Sequence, residues 1–471
     1  MQVRRMLVLL LIILKEAGPT AAHSCRCSSS SCSCGRRGLS SVPQDLPTTI
    51  TTLYLWVNEI TTLSQSDFSR YGSLRTLHLY SNQISTINHG TFVGLSNLKR
   101  LYLSVNQLAN LTADMFDGLG NLEVLQLDNN QLTSLPSDIF EGLGNLRGLR
   151  LDQNQLSSLP TGIFAGLGNL EELRLSHLTS LAADTFEGLG NLLTLVLNQI
   201  QLSKLPAGIF EGLGNLWQLD LSQNPLTNLT ADTDIFEGLG NLTTLYLSYN
   251  QLTSLPVGIF EGLGNLQTLI LSQNQLTSLP AGIFEGLGNL QILFLSQNQL
   301  TNLPIRIFEG LGNLVDLNLS HNRLTSLPAA IFDGLDHLLL LHLDHNQLTS
   351  LSADIFPVLA SVLIWVQIRN NPLQCDCKMR PFKLLMTGEH YFESGIYCAG
   401  PANLAGKNLL FGDLISGSTN FYHPTCTNLY PSTCTNLYPP TYTSFYPQTC
   451  SKLQHLLEEV RHQKVLEKGF L

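Results

Sequence analysis

The chain has 471 residues, a formal net charge of −10 and only 13% charged residues. That balance provides no basic stripe for a nucleic-acid backbone and no polybasic patch for a membrane surface, so nucleic acid is excluded as an expected partner. Length alone would allow two or three domains, but a short internal repeat overrides that prior.

In chain order, MQVRRMLVLLLIIL places Arg4 and Arg5 before an apolar run from Met6 to Leu14. The run is too short to span a bilayer and reads as the core of a secretory signal peptide, residues 1–22, with small residues Thr20 and Ala22 before the cut. No later apolar stretch reaches spanning length, so no membrane span is expected in this chain. Residues 23–49 hold Cys25, Cys27, Cys32 and Cys34, and the other six of the ten cysteines lie between 375 and 450. An even count at the two ends of a secreted chain points to disulfides rather than zinc. Sequons at Asn110, Asn228, Asn241 and Asn318 fit glycosylation in the same compartment.

Residues 50–370 repeat, mostly every 24 residues. Counted from Leu266, apolar residues fall at positions 1, 4, 6, 11, 14, 18, 19 and 22, with Asn274 at position 9 and Pro280 at 15. This is the leucine-rich repeat pattern. Alternation around positions 3 to 7 predicts one short parallel strand per turn, with 4 and 6 inward and 3, 5 and 7 outward. The position-9 amide can satisfy backbone groups where the buried turn leaves the strand. Phenylalanine at position 19, from Phe68 to Phe356, predicts a packed spine on the opposite side. GLGN, which recurs nine times from Gly118, reads as a scaffold turn and not a phosphate loop. The expected fold is an α/β repeat solenoid, a curved leucine-rich repeat horseshoe with a concave parallel sheet and disulfide-bonded end caps. Fourteen strands at about 4.8 Å spacing would make a sheet roughly 65 Å long.

CSCGRRGLSSVPQDLP before the first repeat, and NPLQCDCKMRPF with Cys398 and Cys426 after the last, carry a resemblance. Over roughly residues 25–426 the chain resembles extracellular leucine-rich repeat proteins with cysteine-rich caps: variable lymphocyte receptors, Slit, Toll-like receptor ectodomains and chondroadherin-type matrix proteins. The resemblance implies binding rather than catalysis, and a C-terminal cap, residues 371–426, with Cys375 joined to Cys398 and Cys377 to Cys426. The family's first N-cap cysteine is missing and Cys32 replaces a small apolar residue, which leaves the pairing of Cys25, Cys27, Cys32 and Cys34 open. The insertion typical of variable lymphocyte receptors is also absent between Cys377 and Cys398.

Compared among themselves, the repeats hold positions 4, 6 and 19 nearly constant while positions 3 and 5 vary in charge, size and aromaticity. Apolar and aromatic residues at outward positions suit a reading surface better than a solvated one. Expected ligand-binding residues are Tyr54, Trp56, Tyr80 and Tyr102 near the N-terminus, beside Lys99 and Arg100, then Arg150 and Arg174. A second group, Tyr246, Tyr249, Ile270, Ile292 and Phe294, forms a candidate hot spot, with His342 beyond it. His321, His342, Asp344 and His345 converge near the last strands, where a metal site or a pH-sensitive contact competes with plain solvated loop residues; no metal or cofactor is assigned. Residues 170–241 break the rhythm, which predicts altered curvature or a weak joint, with plain tolerated length variation as the favoured competing reading.

Residues 427–471 read as a Pro/Thr/Tyr-rich linker, containing Cys434 and Cys450, and a short C-terminal helix that offers a route to homo-oligomers. No G-x-S-x-G, H-E-x-x-H or phosphate-loop pattern occurs, so an enzyme is not expected. The expectation is a secreted recognition protein, in the extracellular space or matrix, that binds a protein or glycan ligand through the concave sheet in innate immunity or adhesion. The competing readings are a structural matrix component and the ectodomain of a signalling receptor anchored elsewhere.

Overall fold

Alternation at positions 3 to 5 becomes a three-residue strand in each turn, its central leucine buried and its flanks partly exposed. A computed structural model describes residues 25–229, 235–355, 365–376, 379–386, 391–402 and 404–409. The signal-peptide and C-terminal-tail expectations lie outside these residues, as do Phe356, Cys377, Cys426, Cys434, Cys450 and the two-residue insertion near Thr233. The chain divides into two compact units, residues 1–294 and 295–471.

In the first unit, the N-terminal cap is a hairpin of β1 (Arg26–Cys27) and β2 (Ser31–Ser33), antiparallel to each other, with β2 parallel to the first repeat strand β3 (Thr52–Tyr54). Disulfides Cys25–Cys34 and Cys27–Cys32 hold it, a nested pairing of all four cysteines that the sequence left open. From Thr52–Tyr54 to Ile292–Phe294, eleven repeat strands pair in parallel and in sequence order among the described residues. The second unit carries three more, Asp316–Asn318, Leu340–His342 and Trp365–Gln367, also parallel neighbours. Its cap is tied by Cys375–Cys398 and contains a helix, Arg380–Leu385. The buried sulfur of Met379 accepts the Leu351 N–H at 3.0 Å, which satisfies a backbone donor of the preceding repeat.

Two amide ladders hold the turns together. The position-9 ladder is typified by Asn130, whose Oδ1 accepts from Leu108 N at 3.0 Å while Nδ2 donates to Leu103 O and Leu127 O at 3.0 and 2.9 Å. At the N-terminal end Asn58 extends it into the cap, accepting from Arg37 N and Leu39 N and donating to Cys34 O. The second ladder uses the asparagine of GLGN. Asn121, Asn145, Asn169 and their successors donate to a carbonyl of the previous turn at 2.8–2.9 Å. In the second unit His337 stands at that repeat position and bonds Gly312 O. GLGN is therefore a turn, with Gly118 at φ 82°, and also an inter-repeat strut that pattern reading missed.

Opposite the sheet, position-19 rings stack at centroid distances of 6.1–6.5 Å, as in Phe68–Phe92, Phe140–Phe164 and Phe260–Phe284. Each such ring, fully buried, contributes roughly 2–3 kcal/mol. Little helix forms on this side. Among the described residues of the first unit the one α-helix is Gln65–Phe68, because Pro at position 15 and the glycines of GLGN interrupt any longer run. A small second sheet, Thr62–Leu63 with Thr86–Ile87, exists where those prolines are missing. There Asn88, at position 15, donates its N–H to Leu63 O at 2.9 Å, a bond that Pro136 or Pro280 at the same position cannot make.

The expected break at residues 170–241 is a break of the amide ladder, not of the sheet. Register runs through unshifted, Glu172 to Thr194 to Gln218 to Thr244. The repeat at Leu170 lacks positions 9 and 10, and the next places buried Ile200 where Asn should be. The buried Oδ1 of Asn224, one repeat further on, has no hydrogen-bond partner. Exposed glutamines bridge part of the gap: Gln153 donates to Gln199 at 2.8 Å, and Gln199 to Gln223 at 2.7 Å.

Candidate ligand-binding face

Side chains at positions 3, 5 and 7 share the open face of the sheet because positions 4 and 6 are committed to the core, where Leu245, Leu247, Leu269 and Leu271 are fully buried. Register then aligns position 5 laterally. Tyr54 is opposite His78, and His78 opposite Tyr102. Their rings stack at 4.6 and 4.5 Å, with His78 sandwiched between two tyrosines. Trp56 stacks on Tyr80 at 6.1 Å, and the Arg36 guanidinium, contributed by the cap, lies 5.4 Å from the Trp56 ring. Burial lowers the His78 pKa to about 4, so the imidazole at the centre of this cluster is neutral at physiological pH. His78 and Arg36 were not among the expected residues. The signal for His78 was its place at position 5 between two tyrosines; Arg36 had none, since it comes from the cap. Lys99, expected beside the patch, is held by Glu123 at 2.6 Å.

Further along, Arg150 and Arg174 converge on one carboxylate. Glu172 Oε1 accepts from Arg150 Nε at 3.1 Å and Arg174 Nε at 2.5 Å, so the two cations are partly neutralised by their own scaffold. Asp128 and Asp152 lie at position 7 beside them, each with a buried oxygen lacking a partner. Desolvation, reinforced by Asp128, raises the Asp152 pKa.

The central group is apolar. Tyr246, Ile270 and Phe294 are consecutive partners across three strands, and Thr268 pairs with Ile292. Tyr249, 53% exposed, stands beside them at position 8. Position 8 takes a left-handed backbone in every described repeat, with φ between 52° and 65°, which throws its side chain outward at the end of each strand. It forms a second variable column, including Val57, Val105 and Gln273, that alternation alone does not reveal. Exposed Leu193 and Trp217, at position 2, add an apolar rim that was also missed.

In the second unit, His342 is 3.6 Å from Asp316, whose own pKa is raised by desolvation and only partly lowered by the imidazole. His321, Asp344 and His345 gather separately, their ligand atoms within 4.8 Å of one another; the structure does not bring His342 into that group. Of the sequons, Asn110 and Asn228 are exposed, exposed Asn241 donates to Gly214 O, and half-buried Asn318 accepts from Ser320.

A family profile for the leucine-rich repeat matches residues 48–108, 72–132, 120–177, 176–226, 229–276, 264–324 and 313–373. The chain belongs to the leucine-rich repeat family. Its solved likenesses include a leucine-rich repeat protein of Leptospira interrogans, 31% identical, TM-score 0.61, covering 75% of this chain and 88% of that one. A chain of the Drosophila Toll–Spatzle complex is 23% identical with TM-score 0.54, covering 76% of this leucine-rich repeat chain and 63% of that one. In the glycosylated form of that complex the values are 26%, 0.57, 77% and 58%. No curated protein matches this chain. Proteins of this family and fold are typically non-enzymatic interaction modules. Among the described residues the three disulfides fit an extracellular protein, and no helix there is long and apolar enough to cross a membrane.

Proposed function

We propose that this leucine-rich repeat protein is a secreted recognition protein that holds a protein ligand on the open face of its sheet, with the column Tyr246–Ile270–Phe294 as anchor. One observation carries the reading: the scaffold positions on either side of this column are fully buried leucines, while the column itself presents large, partly exposed apolar side chains in lateral register. Aligned aromatic and aliphatic groups that scaffold packing does not require are suited to a desolvated hot spot. The likeness to a chain of the Toll–Spatzle complex supports protein binding as the use of such a face. In the N-terminal cluster, stacking covers both faces of His78 and one face each of Tyr54 and Tyr102. The stack uses the ring faces turned toward His78, and the tyrosine edges and hydroxyls offer polar contacts to a protein loop.

The test is binding of the purified chain to protein and glycan arrays beside the triple variant Tyr246→Ser, Ile270→Ser, Phe294→Ser, with folding checked by circular dichroism. Selective protein binding lost in the folded variant supports the anchor. Binding unchanged in the variant refutes it, and selective glycan binding refutes the protein ligand.

A further inference from the structure

The geometry points to a site for a late first-row divalent cation such as Zn2+ on His321, Asp344 and His345 of the second unit. The left-handed backbone at position 8 puts the side chains of His321, His345 and Asn370 into one column, with φ values of 53°, 55° and 58°. The imidazole ring centroids lie 4.1 Å apart, and Asp344, at position 7 of the middle turn, brings its carboxylate beside both rings. Asp344 Oδ2 is 2.8 Å from His345 Nδ1 and 4.0 Å from His321 Nε2. A tetrahedral ion with ligands at about 2.0–2.1 Å needs neighbouring donors roughly 3.3 Å apart, which these two distances straddle. The rings are nearly parallel, so each must tilt for its lone pair to converge on the ion. Both stand at exposed positions with room to turn, at 47% and 45% side-chain exposure.

The outer contacts are those a metal centre needs. In the orientation that satisfies both its ends, Gln367 donates to Asp344 Oδ1 at 3.2 Å and accepts from Trp365 Nε1 at 2.8 Å, which aims the carboxylate. Asn370 Nδ2 lies 2.8 Å from His345 Nε2 and donates to it; turning the amide over puts Oδ1 there, where it accepts the Nε2–H once Nδ1 takes the ion. Ligands oriented through their far atoms in this way bind metal about 10–100-fold more tightly than unsupported ones. Two imidazole nitrogens and one carboxylate oxygen suit zinc, copper or nickel rather than calcium or magnesium. Asp344 and His345 also wall a surface depression of about 240 Å3, so an open coordination position could take a carboxylate or imidazole from a bound partner.

The repeat supplies its own control residues. Position 8 is Gln at Gln153, Gln199, Gln273 and Gln297, and position 7 is Ser at Ser272 and Ser296, so His321→Gln, His345→Gln and Asp344→Ser restore residues the scaffold already uses. The full chain is titrated with Zn2+ by calorimetry, with Ca2+ and Mg2+ in parallel, and with Cu2+ while Trp365 fluorescence is followed. The site predicts saturable Zn2+ binding, at least a tenfold weaker affinity in the folded His321→Gln, His345→Gln double variant, and Cu2+ quenching that disappears in both this variant and Trp365→Phe. Equal Zn2+ binding by wild type and double variant, no saturation in the wild type, or preference for Ca2+ would overturn it. Asp344→Ser provides an independent variant read in the same way.

Discussion

At the level of single residues, the scaffold rests on side chains that satisfy backbone groups in two turns at once. Asn274 accepts from Leu252 N at 3.1 Å and donates to Leu247 O and Leu271 O at 2.9 and 3.0 Å, all in the core. Asn274→Ala leaves these groups buried and unpaired. It should lower stability by roughly 3 kcal/mol in urea denaturation, whereas exposed Gln275→Ala should change it by less than about 0.5 kcal/mol. His78 makes a different prediction. Its pKa of about 4 in the folded chain lies below the ordinary value of 6.5, so the unfolded chain takes the proton first. The stability tied to neutral His78 is complete above pH 6.5 and declines as pH falls from there toward 4. Urea midpoints should therefore drop across that window in the wild type and drop less in His78→Phe. An identical pH dependence in the two proteins would mean that other groups cause it.

For the repeat as an element, the interrupted amide ladder is the informative feature. Leu132 N and Leu252 N are each held by an asparagine oxygen from the next turn. The turns after Leu156 and Leu178 supply no such asparagine, because one lacks position 9 and the other has Ile200. Amide hydrogen exchange at Leu156 and Leu178 should be at least about tenfold faster than at Leu132 and Leu252, the effect of one missing hydrogen bond. Ile200→Asn should slow exchange at Leu178 selectively. If all four amides exchange alike, continuity of the sheet and the exposed Gln153–Gln199–Gln223 bridge are enough to close the joint.

On the scale of the whole molecule, a solenoid needs its end turns covered, since an open strand edge is a template for another chain. At the N-terminal end the cover is the β1–β2 hairpin, pinned by disulfides that close loops of 9 and 5 residues in sequence. Loops of this size are worth roughly 2–3 kcal/mol each in the chain-entropy account. Replacing Cys25, Cys27, Cys32 and Cys34 by Ser should free the edge of Thr52–Tyr54 and produce concentration-dependent association in light scattering. A variant that stays monomeric and equally stable would show that strand pairing alone holds the cap.

Periodicity determined the repeat, the strands, the Phe spine and the position-9 ladder, because each depends on local geometry copied every 24 residues. The same arithmetic separated constant core positions from the variable face, so Tyr54, Tyr102, Tyr246, Ile270 and Phe294 are legible as outward-facing in the sequence itself. Tertiary structure decided what those side chains do to one another. Arg150 and Arg174 are spent on Glu172, Lys99 on Glu123, and His78 is neutral between two tyrosines, none of which follows from a position number. The cap pairing and the strut role of the GLGN asparagine also emerged only from the fold. So did the His321–Asp344–His345 group without His342. Arg150 and Lys99 find partners a full turn away, whereas Arg174, two residues from Glu172, and the four cap cysteines each have more than one candidate within reach. Spacing sets the face a residue occupies, but the contact it makes depends on side-chain torsions and on the neighbouring turn.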